Sequence, residues 1–462
     1  MPRFVLLPVL PFGFGATVVV PAVTPSTVRS ILRSTLLRAV SRALPWALPW
    51  AVPRAVRLIV AWALPWALRW ALPGALPLAL PWVVPLGATL LAPGTVIAAT
   101  TETAHATEPV RIGITTILSG PTADRGQSEQ YGAQLALNRI NEAGGVLGRP
   151  VEAYYADNAC KPDIGVPATR RLIEQEHVPV IIGALCTPVT HAIEPVVQAA
   201  KVPLVIATSA GQDFVDASGA GGNDYLFKTI PSEVDIARGL IRFLAAKNVK
   251  SVAVIAEAGG FPHANAVAMA KAARDAGMRV TAEETITPGS TDLAALMEKL
   301  RTGAPDELLV MPGSSAAGFF HAYEASGWKV PISGRLDFAT ALGAVSPAFR
   351  DAGGLAGLTG IVVFTPLIDK PRVKDFVTSY EAHYGLVPTQ RSYFVYEATY
   401  LVVDAMRRAH SDRPEAIEKA LKTTKMPSGL GGTYAPDDHN HAHTPLFIVG
   451  LRDARPAVIA TE

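Results

Sequence analysis

A chain of 462 residues has room for two or more domains and for a sizeable buried core. Residues 1–106 hold eight arginines, a single acid (Glu102) and six of the seven tryptophans, whereas the rest carries 33 basic and 38 acidic side chains, a net charge of −5. A mildly acidic body argues against a nucleic-acid partner.

From Ala43 to Pro93 the chain repeats ALPWALPWAVP-like units. Proline at that frequency interrupts helical hydrogen bonding, so neither a folded domain nor a stable membrane span is expected. Ser26–Leu44 places Arg29, Arg33, Arg38 and Arg42 among aliphatic residues. This is either a basic face for a membrane surface or a product of biased composition. Arg57 and Arg69 precede an apolar run, and Ala104-His105-Ala106 fits a small-x-small cleavage site. Residues 1–106 are therefore expected to be a leader, disordered or cleaved after Ala106, releasing a soluble exported protein.

The body alternates strands and helices. Val110–Leu118 is a β-rich run, Ser128–Ala143 a helix stopped by Gly144-Gly145, and Val151–Asp157 a strand. A helix follows near Pro167–Gln175. Val180–Ile182 and Leu204–Ala207 are buried strands flanking a helix from Pro188 to Ala200. At the start of that helix, unpaired backbone N–H groups make an anion site, with the Thr187 hydroxyl as cap or extra donor. The plainer reading is an ordinary capped turn.

The rhythm then restarts. Tyr225–Thr229 is a short strand, and Ser232 caps a helix to Lys247 with Asp235 in capping-box spacing. Ser251–Ala256, Val280–Ile286, Glu307–Met311 and Pro331–Ser333 are strands. They alternate with helices Ala264–Ala276, Asp292–Arg301 and Ala316–Ser326. Gly360–Phe364 is a strand, followed by helices at Pro371–Tyr384, Tyr393–Arg408 and Pro414–Lys422. Gly429–Tyr434 and Thr444–Val449 read as a hairpin. Two α/β units of similar size imply two lobes with parallel sheets and a cleft beyond the strand ends.

Two cysteines, Cys160 and Cys186, lie in the body. They suit a disulfide in an exported protein and two buried thiols in a cytosolic one. Asp437-Asp438-His439-Asn440-His441-Ala442-His443 has metal-ligand residue types, but it reads as a solvated turn, and no metal or cofactor is expected. There is no dinucleotide fingerprint, Walker loop, HExxH or G-x-S-x-G elbow, so the reading is non-enzymatic.

IGITTILSGPTADRGQ (112–127), GAQLALNRINEAGGVLGRPV (132–151), DNACKPD (157–163), IIGALCTPVT (181–190), VPLVIATSA (202–210) and FKTIPSE (227–233) carry a family likeness. On these runs the body resembles the periplasmic substrate-binding proteins of ABC transporters, and within them the leucine/isoleucine/valine-binding branch. The resemblance implies a type I periplasmic binding fold with two Rossmann-like lobes and a three-segment hinge. Lobe I would be 107–229 with 366–431, and lobe II 230–365 with 432–462. Crossings would lie near Thr229–Pro231, Thr365–Pro366 and Gly431–Gly432. It also implies a Cys160–Cys186 disulfide and a monomer that passes its solute to permease subunits in the inner membrane.

For the site, the resemblance points to Leu185, Cys186, Thr187, Ser209, Ala210 and Gly211 around a ligand carboxylate. It adds Arg125 at the first loop, Phe261 stacking from the second lobe, and Asp337 as ammonium partner beside Arg335. Gly211 stands where the family has threonine, so Ser209 is the expected substitute donor. Tyr393 and Tyr396 suit either the cleft or the core. The implied ligand is a branched-chain-like amino acid or a related small carboxylate. Aromatic acids, amides or urea-like solutes, or a sensory role, are the alternatives.

Overall fold

The computed structural model describes residues 108–462. The expected leader at 1–106 and its cleavage after Ala106 lie outside them. Among the described residues, no helix is long and apolar enough to cross a membrane.

The first sheet takes β1 (Val110–Thr116), β2 (Val151–Asp157), β3 (Ile181–Gly183), β4 (Leu204–Ile206) and β5 (Leu226–Lys228), all parallel, in the order β2-β1-β3-β4-β5. β3, β4 and β5 are buried at every residue, as expected of strands covered on both faces. The connecting helices are α1 (Ala123–Glu142), α2 (Pro162–Glu174), α3 (Thr187–Ala200) and the short α4 (Gln212–Asp216).

The second sheet is also parallel, in the order β7-β6-β8-β9, from β6 (Ser251–Glu257), β7 (Arg279–Ile286), β8 (Glu307–Met311) and β9 (Ile332–Gly334). Its helices are α5 (Glu233–Ala246), α6 (Gly260–Asp275), α7 (Ala294–Thr302), α8 (Ala316–Ala325), α9 (Phe338–Gly343) and α10 (Pro347–Asp351). Ser232 caps α5 as its spacing predicts: Ser232 Oγ accepts the Asp235 N–H at 3.2 Å, and Asp235 Oδ2 accepts the Ser232 N–H at 2.8 Å.

After β10 (Thr359–Val362) the chain returns to the first sheet. α11 (Pro371–Tyr384) and α12 (Gln390–Ala409) pack on α1, and α13 (Pro414–Lys422) packs on α12. Tyr131 stacks on Tyr384 with centroids 4.1 Å apart, and Arg139 Nη1 donates to the Tyr396 hydroxyl at 2.9 Å. Tyr393 is buried, stacks on Phe364 and donates to Glu397 Oε1 at 2.9 Å. Both tyrosines thus belong to the core around α11 and α12.

Five sequence expectations shift. α1 starts at Ala123, not Ser128, because Gly126 is a packing residue: a Cβ there would collide with the Ile117 carbonyl. α2 starts at Pro162, which suits the first helical position, and Pro167 lies inside it. α6 starts at Gly260 and α12 at Gln390, each a few residues early. The expected C-terminal hairpin is two separate pairings. β11 (Met426–Pro427) pairs with β12 (Thr433–Tyr434), while β13 (Phe447–Arg452) pairs with β10 and with β14 (Arg455–Thr461), all antiparallel.

The Asp437–His443 segment is a solvated turn only in part: Asp437–His439 and His443 are exposed, but Asn440–Ala442 are buried. Lys228 N–H donates to the Asn440 carbonyl at 2.9 Å, and Ala442 N–H donates to the Lys228 carbonyl at 3.0 Å. The segment thus lies along β5, with Asn440 and His441 buried. The chain leaves β5 for β13 only after Ala442, later than Gly431–Gly432.

Cys160 and Cys186 are joined, Cα to Cα 5.4 Å, across 26 positions of sequence. The bond ties the loop before α2 to the loop before α3. Replacing both cysteines by alanine is expected to lower unfolding free energy by about 3–4 kcal/mol, the loop-closure entropy of such a span. Denaturant titration of the double variant measures this, and an unchanged midpoint would refute it.

Candidate functional site

In the first sheet the strand order reverses between β1 and β3, so the loops beyond their carboxyl ends diverge and leave a crevice. β3 ends at Gly183, whose φ of 137° and contact with the Thr115 carbonyl admit no side chain. Ala184, Leu185 and Cys186 then lead into α3. Thr187 is the first residue of the helix and is exposed; Cys186 holds the cap position without a side-chain cap bond. The hydroxyl that folds back is Thr190, donating to the Ala184 carbonyl at 3.0 Å.

The loop after β4 is stitched inward. Ser209 is 2% exposed, and its hydroxyl meets the Ala184 and Leu185 carbonyls at 2.7 and 3.1 Å. Its side chain locks the two loops together, which weighs against the donor role expected for it. The Ala210 carbonyl accepts the Glu233 N–H at 3.1 Å. Gly211 precedes α4, where a Cβ would strike the Asp213 carboxylate.

Beneath these loops is a buried polar floor. Glu129 on α1 accepts the Thr116 hydroxyl, while its second oxygen and the Thr208 hydroxyl are buried without a hydrogen-bond partner. Burial pushes the Glu129 carboxyl up from 4.5 to about 7, against the lowering effect of the Thr116 hydroxyl and the Arg391 charge. Arg391, second residue of α12, has a buried Nε with no partner. Burial and then the Arg125 charge lower its pKa, while Glu129 and Asp124 oppose them. Arg125, exposed on the first turn of α1, therefore stands near Arg391. Sequence reasoning missed Arg391 because it began α12 at Tyr393. The available signal was a cation at a helix start beside two noted tyrosines.

In the second lobe Arg335 follows β9. Its Nη1 donates to the Ile361 carbonyl at 3.0 Å, and its Cζ lies 5.3 Å from the Phe261 ring centroid. Burial lowers its pKa to about 10, with Glu233 opposing. Phe261 is 47% exposed. Asp337 is committed elsewhere: it caps α9, accepting the Ala339 N–H at 3.0 Å and the Thr340 hydroxyl at 2.7 Å. Both oxygens are used within its own helix turn, which weighs against the ammonium role expected for it. Glu257, ending β6, is likewise held by the Ser314 and Ser315 hydroxyls and the Ser315 N–H. Glu233 links the lobes, accepting the Gln212 N–H at 2.9 Å.

Residues 109–456 match the family described as periplasmic binding protein. A Leu/Ile/Val-binding protein homolog from Brucella melitensis is 30% identical over 211 residues, 45% of this chain and 55% of that protein. The chain thus spans about half the length of the first curated relatives it matches. A putative branched-chain amino acid ABC transporter protein from Rhodospirillum rubrum superimposes with a TM-score of 0.64 at 26% identity, covering 76% of this chain and all of the other (100%). A branched-chain amino acid transporter substrate-binding protein from Streptococcus pneumoniae, solved with isoleucine, gives 0.63 at 24% identity, covering 77% and 99%. That second likeness bears on the fold alone.

The raised Glu129 carboxyl sets a pH dependence. Folding holds its proton more tightly than the unfolded chain does, so this stabilisation is complete below about pH 4.5 and is lost as pH rises through about 7. Glu129→Gln is expected to be more stable than the parent at pH 8, by up to about 3 kcal/mol, and to lose that advantage at pH 4. Unfolding free energy measured across pH tests this, and parallel profiles would refute it.

Proposed function

Because the chain belongs to the periplasmic binding protein family, we propose that it is the solute-binding component of an ABC importer. In this reading it acts in the periplasm as a monomer, takes an amino acid or related small carboxylate between two lobes, and delivers it to a membrane permease. Ligand contacts to both lobes would favour the closed form, because a ligand shifts a conformational equilibrium only through its differential affinity.

One observation supports the ligand class: arginines with few hydrogen bonds to protein stand near the carboxyl ends of both sheets. Arg125 and Arg391 stand near one another at the starts of α1 and α12, and Arg335 leaves the second sheet with one hydrogen bond to protein. Of the carboxylates nearby, Asp337 is engaged by its helix, Glu257 by serines and Glu233 by Gln212, while Glu129 beside Arg391 keeps one buried oxygen without a partner. Guanidinium groups with no acid in direct ion-pair contact suit a planar carboxylate, which they grip through two parallel N–H bonds. The amide groups of Leu185–Thr187 add to the same field. Between the two ligand chemistries, the arrangement favours acids whose charge is not cancelled by an ammonium group.

A thermal-shift screen of purified protein, freed of carried-over ligand, tests the reading with amino acids, aromatic acids, dicarboxylates and small amides. A ligand at a hundred times its dissociation constant adds about 2.7 kcal/mol. Arg391→Ala is expected to weaken a carboxylate ligand about 10–100-fold, the loss of a charged hydrogen bond. A carboxylate that binds equally well to this variant, or a response confined to uncharged amides, would overturn the proposed site.

A further inference from the structure

The loop running along β5 and the first turn of α5 bring three ligand-type side chains together. His441 Nε2 lies 3.5 Å from Asp235 Oδ2, and His443 Nδ1 lies 3.6 Å from Asp235 Oδ1. One ligand atom from each residue falls within 4.8 Å of the others. We propose that Asp235, His441 and His443 form a binding site for a divalent cation of the zinc class, between the first turn of α5 and the segment that follows β12.

The spacing suits such an ion. Four-coordinate zinc takes nitrogen and oxygen ligands at about 2.0–2.1 Å. Tetrahedral geometry then sets neighbouring ligand atoms roughly 3.4 Å apart. The 3.6 Å between His443 Nδ1 and Asp235 Oδ1 is within a few tenths of an ångström of that, and His441 Nε2 approaches the same carboxylate at 3.5 Å from Oδ2.

The setting of His443 adds to the geometry. His443 Nε2 lies 3.1 Å from Asp437 Oδ2. A carboxylate behind the outer ring nitrogen is also how metal-binding histidines are commonly oriented. Asp437 is itself fixed, its Oδ1 accepting the His439 and His441 N–H groups at 2.9 and 3.0 Å.

The other two ligands are held as firmly. Asp235 Oδ2 accepts the Ser232 N–H and hydroxyl at 2.8 and 2.7 Å, which leaves Oδ1 for the metal. His441 is 1% exposed, and its ring meets that of His443 at 4.7 Å. On metal binding its Nε2 gives up a 3.2 Å contact with the Ile230 carbonyl, which keeps the Lys228 ammonium at 2.8 Å. Two imidazoles and one carboxylate favour zinc-like ions over magnesium or calcium, which prefer oxygen throughout. His443 is exposed, so water completes the coordination.

The test is calorimetric and thermal titration of tag-free, chelator-treated protein with Zn²⁺, using Mg²⁺ as the control. One saturable zinc site and a raised melting temperature are expected, with neither from magnesium. His443→Gln, at an exposed position outside any helix cap, is expected to keep the metal-free melting temperature and abolish the site. Asp437→Asn keeps the loop's acceptor and is expected to weaken zinc about 10–100-fold, as loss of an orienting partner does. Absence of saturable zinc uptake would overturn the proposal. So would unchanged zinc affinity in both variants, which would place the ion elsewhere.

Discussion

A single buried ammonium group sits where the two halves of this protein meet. Lys228 is fully buried, and its Nζ donates to the carbonyls of Ser209 and Ile230 at 2.8 Å each. Its own backbone pairs with Asn440 and Ala442. One residue thus ties the loop after β4, the passage into α5 and the late segment beside β5. Burial lowers its pKa to about 7, and Glu233, Asp235 and Asp213 partly restore it. An ammonium group with no carboxylate in contact is expensive to bury. Its carbonyl partners must therefore stay where they are, which fixes the loops that line the crevice.

The same economy of polar groups shapes the candidate site. Ser209, Thr190, Asp337 and Glu257 look available in the sequence, yet each is used to hold a loop or helix start in place. What remains for a ligand is mainly guanidinium and backbone N–H. Glu129 is the exception among the acids, having a buried oxygen with no partner beneath the arginines. Burial raises its carboxyl to about 7, so it offsets the positive field above it less than an ordinary carboxylate would.

The strands of the first sheet could be read from sequence because covered parallel strands are nearly continuous apolar runs, as at Ile181–Gly183 and Leu204–Ile206. The Ser232 capping box and the cysteine pair were equally legible. Helix starts were not, wherever a glycine or proline served packing: Gly126 and Pro167 look like punctuation and lie inside helices. β14 was overlooked because it is a half-exposed edge strand without a clean apolar run. Asp337 carried a cap signature, an acid just before a helical stretch, that was read as a ligand contact instead. His441 looked solvated because polarity was judged locally. Its burial comes from β5, more than two hundred residues away.

The packing of α11 and α12 on α1 also bears on the order in which the protein is assembled. Tyr384 donates its hydroxyl to the Tyr131 carbonyl at 3.1 Å, and Arg139 reaches Tyr396, contacts spanning about 250 residues of chain. All five strands of the first sheet precede Thr229, but the helices that cover α1 arrive only after the whole second sheet has been made. A nascent chain emerging from its amino end therefore carries an uncovered apolar face on α1 through the synthesis of the entire second lobe. Contacts of such sequence separation are slow to form, so the half synthesised first is the half completed last.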